Sequence, residues 1–281
     1  MNIRRIVIGL DVSPQARGAL DTAASLAHRM EAELVGLFVE REELIRLAGL
    51  PFACEVCLPS AQTRGIDLKR MERSLRAMAE ESRRLLAAAA QRQTPPLRGH
   101  SGAPPLRWSF QVTRTAPGQT LSGPGDPSDL LVLARSLGTS SNAPSAATRS
   151  PVLLLQRELA LPAPALLICT PEDKAQRLAT TLATFSPLIG DTLSLMVLEE
   201  EARTAQSWLH AGLPAFGECG LTVTRTRIES PRNTAAVMHA VDASDPGMVI
   251  FADGRPGHAA LRTLLEASRR PLLLLPSGSD A

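Results

Sequence analysis

The sequence predicts an α/β protein made of two tandem, doubly wound, five-stranded parallel-sheet domains. Three observations predict it. Short apolar runs alternate with amphipathic helical stretches, as a parallel sheet covered on both faces requires. The pattern starts twice without a gap, since Ile8 matches Leu167 and Leu34 matches Leu193, both at an offset of 159 residues. Each half also ends alike, in a buried run (Leu130 to Leu133, Met248 to Phe251), a loop, and a last strand introduced by proline (Pro151 to Leu155, Pro271 to Leu275).

Taken in order, Arg5 to Leu10 is a short buried strand. Ser13 is placed to cap a helix with Pro14 in its first turn, and Ala16, Leu20, Ala23, Ala27 and Met30 repeat at helical spacing. Leu34 to Val39 is the second strand, and the βαβ unit this makes lays its strands parallel. After the proline-broken stretch from Leu159 to Ala165 the unit restarts with Leu166 to Cys169. Thr170, Pro171 and Asp173 form a capping pattern ahead of Ala175, Leu178, Leu182 and Phe185, and Leu193 to Leu198 is the next strand.

Val112 to Thr115 and Val223 to Thr226 share the letters Val-Thr-Arg-Thr in the third strand of each half, at an offset of 111, which leaves the first half 48 residues longer. The excess lies in an insert over about residues 41–107. Within it a long helix starts near Asp67, with Met71, Leu75, Met78 and Leu85 on one face and Glu72, Arg76, Glu80 and Arg84 paired on another. Thr94 to Pro105 is rich in proline and glycine and is expected to be mobile. A helix from Ser230 to about Val241 follows the third strand of the second half, whereas Pro117 to Asp126 in the first half has too much glycine and proline for one. The domains are thus expected at 1–158 and 163–281.

Composition bounds the function. With 281 residues, 44% hydrophobic and 21% charged, and a net charge of +2, the chain is an ordinary globular protein with no bias toward nucleic acid or membrane surfaces. No apolar run is long enough to span a bilayer, and four cysteines are too few for a disulfide framework, so a cytoplasmic protein is expected.

Ile6-Val7-Ile8-Gly9-Leu10-Asp11-Val12-Ser13 resembles the first motif of the universal stress protein family, and the layout of that Rossmann-like fold covers nearly the whole chain twice, outside the insert. In ATP-binding members an Asp after the first strand contacts the nucleoside, and a glycine-rich loop after the fourth strand wraps the phosphates. The resemblance implies that Asp11 takes the first role and that Val39 faces the adenine. Ala134-Arg135-Ser136-Leu137 stands where the Gly-x-x-Gly loop belongs, so only Arg135, Ser136 and the hydroxyls of Thr139, Ser140 and Ser141 remain to hold an anion. In the second half Thr170 replaces the Asp, Phe251-Ala252-Asp253-Gly254 fills the loop, and a carboxylate there opposes a polyphosphate. Gly254-Arg255-Pro256-Gly257 is a displaced echo of the motif, of a kind common in loops without ligands.

Cys54-Glu-Val-Cys57 has the spacing of a redox or zinc half-site but lacks a second ligand pair nearby and does not open a helix. The histidines are scattered, and no nucleophile elbow, Walker loop or paired-carboxylate arrangement occurs. The sequence therefore points to a non-catalytic stress-response or regulatory protein with no metal and no cofactor beyond ATP in the first domain. It would act through an unidentified protein partner, with its two domains joined as an intramolecular pseudo-dimer through the last strands. An adenine-nucleotide sensor using the first domain, and less so a nucleotide hydrolase, are the alternatives.

Overall fold

The computed structural model describes residues 3–10, 14–50, 52–57, 62–65, 67–93, 105–115, 129–134, 150–252, 263–264 and 270–276. Within them, twelve strands and seven helices follow one another. The first half comprises β1 (Arg5–Leu10), α1 (Pro14–Arg29), β2 (Glu33–Arg41), α2 (Glu42–Ala48), β3 (Cys54–Cys57), β4 (Gln62–Gly65), α3 (Leu68–Arg92), β5 (Trp108–Thr115), β6 (Asp129–Ala134) and β7 (Val152–Leu155). The second comprises β8 (Ala165–Cys169), α4 (Ala175–Ala183), α5 (Ser186–Ile189), β9 (Thr192–Leu198), α6 (Ala202–Glu218), β10 (Thr222–Glu229), α7 (Thr234–Ser244), β11 (Met248–Phe251) and β12 (Leu272–Leu274).

All but the β3–β4 hairpin lie in one sheet, in the order β10-β9-β8-β11-β12-β7-β6-β1-β2-β5. Each half has the same internal order, and every pairing within a half is parallel. The halves meet where β7 and β12 pair antiparallel, Leu154 opposite Leu272, Leu153 opposite Leu273 and Val152 opposite Leu274. These leucines and Val152 are buried, so neither last strand is left as an apolar edge.

Alternation along the strands splits the core between the two sheet faces. Ile6, Ile8 and Leu10 belong to one cluster with α1, α3, α4 and α6, while Val7 lies in the other, which α7 covers through Val237, Ala240 and Val241. Gly36 on β2 seats α3, because a Cβ there would come within 2.6 Å of a Leu86 methyl and 2.9 Å of a Leu10 methyl. The linker after β7 crosses α1 closely: the Leu159 N–H donates to the buried Thr22 hydroxyl at 2.9 Å, and a Cβ on Gly18 would meet the Glu158 nitrogen at 2.6 Å.

Three sequence expectations need correction. The register differs from the shared Val-Thr-Arg-Thr letters. Leu34 pairs with Trp108 and Leu193 with Val223, so the third strands correspond at 223 less 108, or 115, and the first half is longer by 44 residues rather than 48. A bulge between Val223 and Arg225 shifts β10 one place further, and letters on two outer strands carry too little alternation to fix a register.

On α3 the buried face is Ala79, Ser82, Leu86, Ala89 and Ala90. Met78 is exposed, because the small residues let the helix lie closer to the sheet than its larger side chains allow. The cap at Asp67 and the Glu72–Arg76 and Glu80–Arg84 pairs stand as expected.

The capping pattern at Thr170 predicts a helix from Pro171, yet α4 begins at Ala175 after a turn. The third-strand-to-helix expectation in the second half holds with a shifted start, since Asn233 caps α7 by accepting from the Ala236 N–H at 3.0 Å. The stretches 94–104 and 116–128 lie outside the described residues.

Candidate functional site

A doubly wound sheet offers a ligand crevice beyond the carboxyl ends of its strands, where the strand order reverses. In the first half this point lies between β1 and β6, adjacent and parallel with Gly9 level with Leu133. In the second it lies between β8 and β11, with Ile168 level with Phe251.

Of the residues that the resemblance assigns to a first-half site, Val39 is described. It sits near the end of β2 opposite Thr113, partly buried against the cluster that contains Val7, Val35 and Leu37. Asp11, Arg135, Ser136, Ser140 and Ser141 lie outside the described residues, as do Thr139, Asp253 and Gly254 to Gly257. The neighbouring Glu40 is held by Arg114, Nε to Oε2 at 2.8 Å.

The second-half crevice is described around its first strand. The Asp173 carboxylate turns back on the strand end, where Oδ2 accepts the Thr170 N–H at 2.9 Å and the Thr170 hydroxyl at 3.2 Å. The Asp173 carbonyl in turn accepts the indole N–H of Trp208 from α6 at 2.8 Å. Together these bonds fix the turn that replaces the first turn of α4.

Asp173 also stands beside Cys169. Burial first, and then the Asp173 charge, push the Cys169 thiol well above its ordinary pKa, so it stays protonated and unreactive. Leu198, which the 159-residue offset equates with Val39, is fully buried. Just beyond it, Glu199 Oε1 accepts from the N–H groups of Glu200 and Glu201 at 2.7 and 3.1 Å, and Arg232 pairs with Glu200 at 2.7 Å.

Asp173 and Glu199 to Glu201 thus follow the ends of β8 and β9, with Leu198 buried just ahead of the glutamates. In the sequence Asp173 reads as a helix cap and nothing marks Trp208, whereas three acidic residues straight after a strand are a usable signal for Glu199 to Glu201. Cys54, exposed, opens a hairpin strand rather than a helix. Among the described residues no cluster of three metal-ligating side chains occurs and no helix is long and apolar enough to cross a membrane.

No protein-family model and no curated protein matches the chain. Among solved structures, a universal stress protein from Archaeoglobus fulgidus DSM 4304 is similar over 100% of this chain and 98% of its own, with a TM-score of 0.62 and 13% sequence identity. The chain has the universal stress protein fold. A functionally unknown protein from Pseudomonas aeruginosa PAO1 is similar over 97% of this chain and 92% of its own, with a TM-score of 0.52 at 12% identity. The fold is thus shared end to end by chains of similar length with almost no shared letters, so the residues that carry function must be judged one by one.

Proposed function

We propose that this protein is a non-catalytic, cytoplasmic regulator of universal stress type that acts through protein contacts, with nucleotide binding weakened or lost. The observation that carries the reading is the Asp173 carboxylate on the Thr170 N–H and hydroxyl. At the end of the first strand of the second half, Thr170 stands where ATP-binding relatives carry an Asp, and its N–H and hydroxyl are already satisfied from within. Adding ATP there would mean breaking two hydrogen bonds and bringing polyphosphate toward Asp173 and Glu199 to Glu201.

On this reading the two halves are domains, about 1–158 and 163–281, and the β7–β12 joint makes one chain the equivalent of a dimer of single-domain relatives. Fusion would free the nucleotide sites from selection while keeping the paired scaffold. Mass spectrometry of the natively purified protein tests this. No stoichiometric adenine nucleotide is expected to co-purify, and a full equivalent per chain would contradict it.

A second reading keeps one adenine-nucleotide site in the first half. It is favoured by Val39, which stays partly exposed where Leu198 in the second half is buried. That site would depend on Asp11, with Arg135, Ser136, Ser140 and Ser141 as the anion contacts. Any ATP binding should then be lost in Asp11→Ala with the fold intact.

A further inference from the structure

The sheet has two outer strands, and they are finished differently. β10 carries the bulge between Val223 and Arg225, and its exposed positions include Arg225 and Arg227, both devices that discourage strand addition. β5 runs in unbroken register with β2 for eight residues, contains no proline and bears one arginine, Arg114, whose Nε donates to Glu40 of β2. Its Trp108 and Val112 are 36% and 50% exposed. All eight exposed large hydrophobic residues among the described ones lie between Leu47 and Val112, so the uncovered apolar surface belongs to the insert and to β5.

Beside β5 runs an open groove of about 670 Å³ under α3, with Trp108, Phe110 and Val112 on the strand side and Arg76, Glu80 and Arg83 on the helix side.

We propose that β5 and α3 form a two-fold interface with a second copy of this chain, β5 pairing antiparallel with its counterpart and α3 lying beside the other α3. Antiparallel pairing about an axis near Phe110 sets Trp108 of each copy opposite Val112 of the other, covering the two exposed apolar side chains with each other. It also continues the sheet beyond its outermost strand.

The helices are placed to meet. α3 packs over both β2 and β5. With strands about 4.8 Å apart, two helices centred over such pairs on either side of the joint stand about 10 Å apart, the ordinary spacing of packed helices.

Their charges are self-complementary when run antiparallel, for Arg76 comes opposite Glu80 and Glu72 opposite Arg84, each pair occurring twice. Within one chain these groups make only solvent-exposed pairs of 3.7 to 3.9 Å, which hold them weakly and leave them able to bridge to a second copy. The internal joint of β7 with β12 is an antiparallel junction of the same kind.

Sedimentation velocity on the full chain tests this. The wild type is expected to sediment as a dimer of the 29.9 kDa chain. Val112→Lys should weaken the dimer by on the order of tenfold or more while circular dichroism stays native, because the position is half exposed. Glu80→Arg should also weaken it, and Arg76→Glu with Glu80→Arg in the same chain should restore it, since the reversed pairs again match across the axis. The charge pair serves as an independent arm should Val112→Lys perturb folding. A wild-type monomer at tens of micromolar would overturn the proposal, as would a dimer indifferent to both Val112→Lys and Glu80→Arg.

Discussion

The two halves of this chain build the same five-strand order, β5-β2-β1-β6-β7 and β10-β9-β8-β11-β12, and then diverge at the strand ends and at the outer edge. In the second half the end of the first strand is closed by Asp173 on Thr170, Trp208 locks the turn, and the outer strand is bulged and charged. In the first half Val39 remains partly exposed, the outer strand is regular with Trp108 and Val112 exposed, and a 25-residue helix from the insert packs over it. The halves therefore share what the sheet needs, buried strands and a common antiparallel joint, and differ at their strand ends and outer strands.

The comparison can be broken most forcefully at the joint. Leu154→Lys with Leu274→Lys puts two charges on buried strand positions and should cost several kcal/mol or prevent folding, giving aggregation in light scattering and loss of a cooperative thermal transition. A double variant with wild-type melting would show that the halves do not depend on this pairing.

A smaller effect is expected where close approach differs between the halves. Gly36→Val pushes against Leu86 and Leu10, and Gly212→Val against Ala175, whose Cβ lies 2.6 Å from an added Cβ. Each should cost about 1–3 kcal/mol in denaturant unfolding. If the β5–α3 interface exists, only Gly36→Val should also weaken dimerisation, because it alone lifts α3 from the sheet.

Asp173→Ala sharpens the contrast at the crevices. It removes the acceptor for the Thr170 N–H and hydroxyl and should cost about 1–2 kcal/mol, read by chemical denaturation. It should not create ATP binding by itself, because the glutamates beyond β9 remain.

The smallest effect is a pH dependence. Cys169 holds its proton in the folded state above its ordinary pKa of 9.0, so once pH passes that value the unfolded chain binds fewer protons than the folded one. Stability should then fall as pH rises from about 9 toward the raised pKa. Cys169→Val should flatten that slope, and the absence of tyrosine leaves few other groups titrating in the window.

The strands and their repeat were legible because each is a short apolar run between polar residues, and a 159-residue offset needs only burial to be visible. The start of α3 was legible in Asp67, whose side chain caps by accepting the Lys69 N–H. The face of α3 was not, because its contact with the sheet is made by alanines, Ser82 and Leu86 over Gly36, and size in the sequence pointed to Met71, Leu75 and Met78 instead. Nor was the turn at Thr170. A capping pattern and a closed turn use the same Thr and Asp, and which forms depends on Trp208, 35 residues away. A first-half site is implied only by the resemblance, through Asp11 and Val39, because Ala134-Arg135-Ser136-Leu137 holds no glycine that would mark it.

Isothermal titration of ATP into the full wild-type chain tests the central claim most directly. The account predicts no saturable heat at micromolar ATP and at most one weak site, abolished by Asp11→Ala. Micromolar binding at two sites per chain, or tight binding that survives Asp11→Ala, would contradict it.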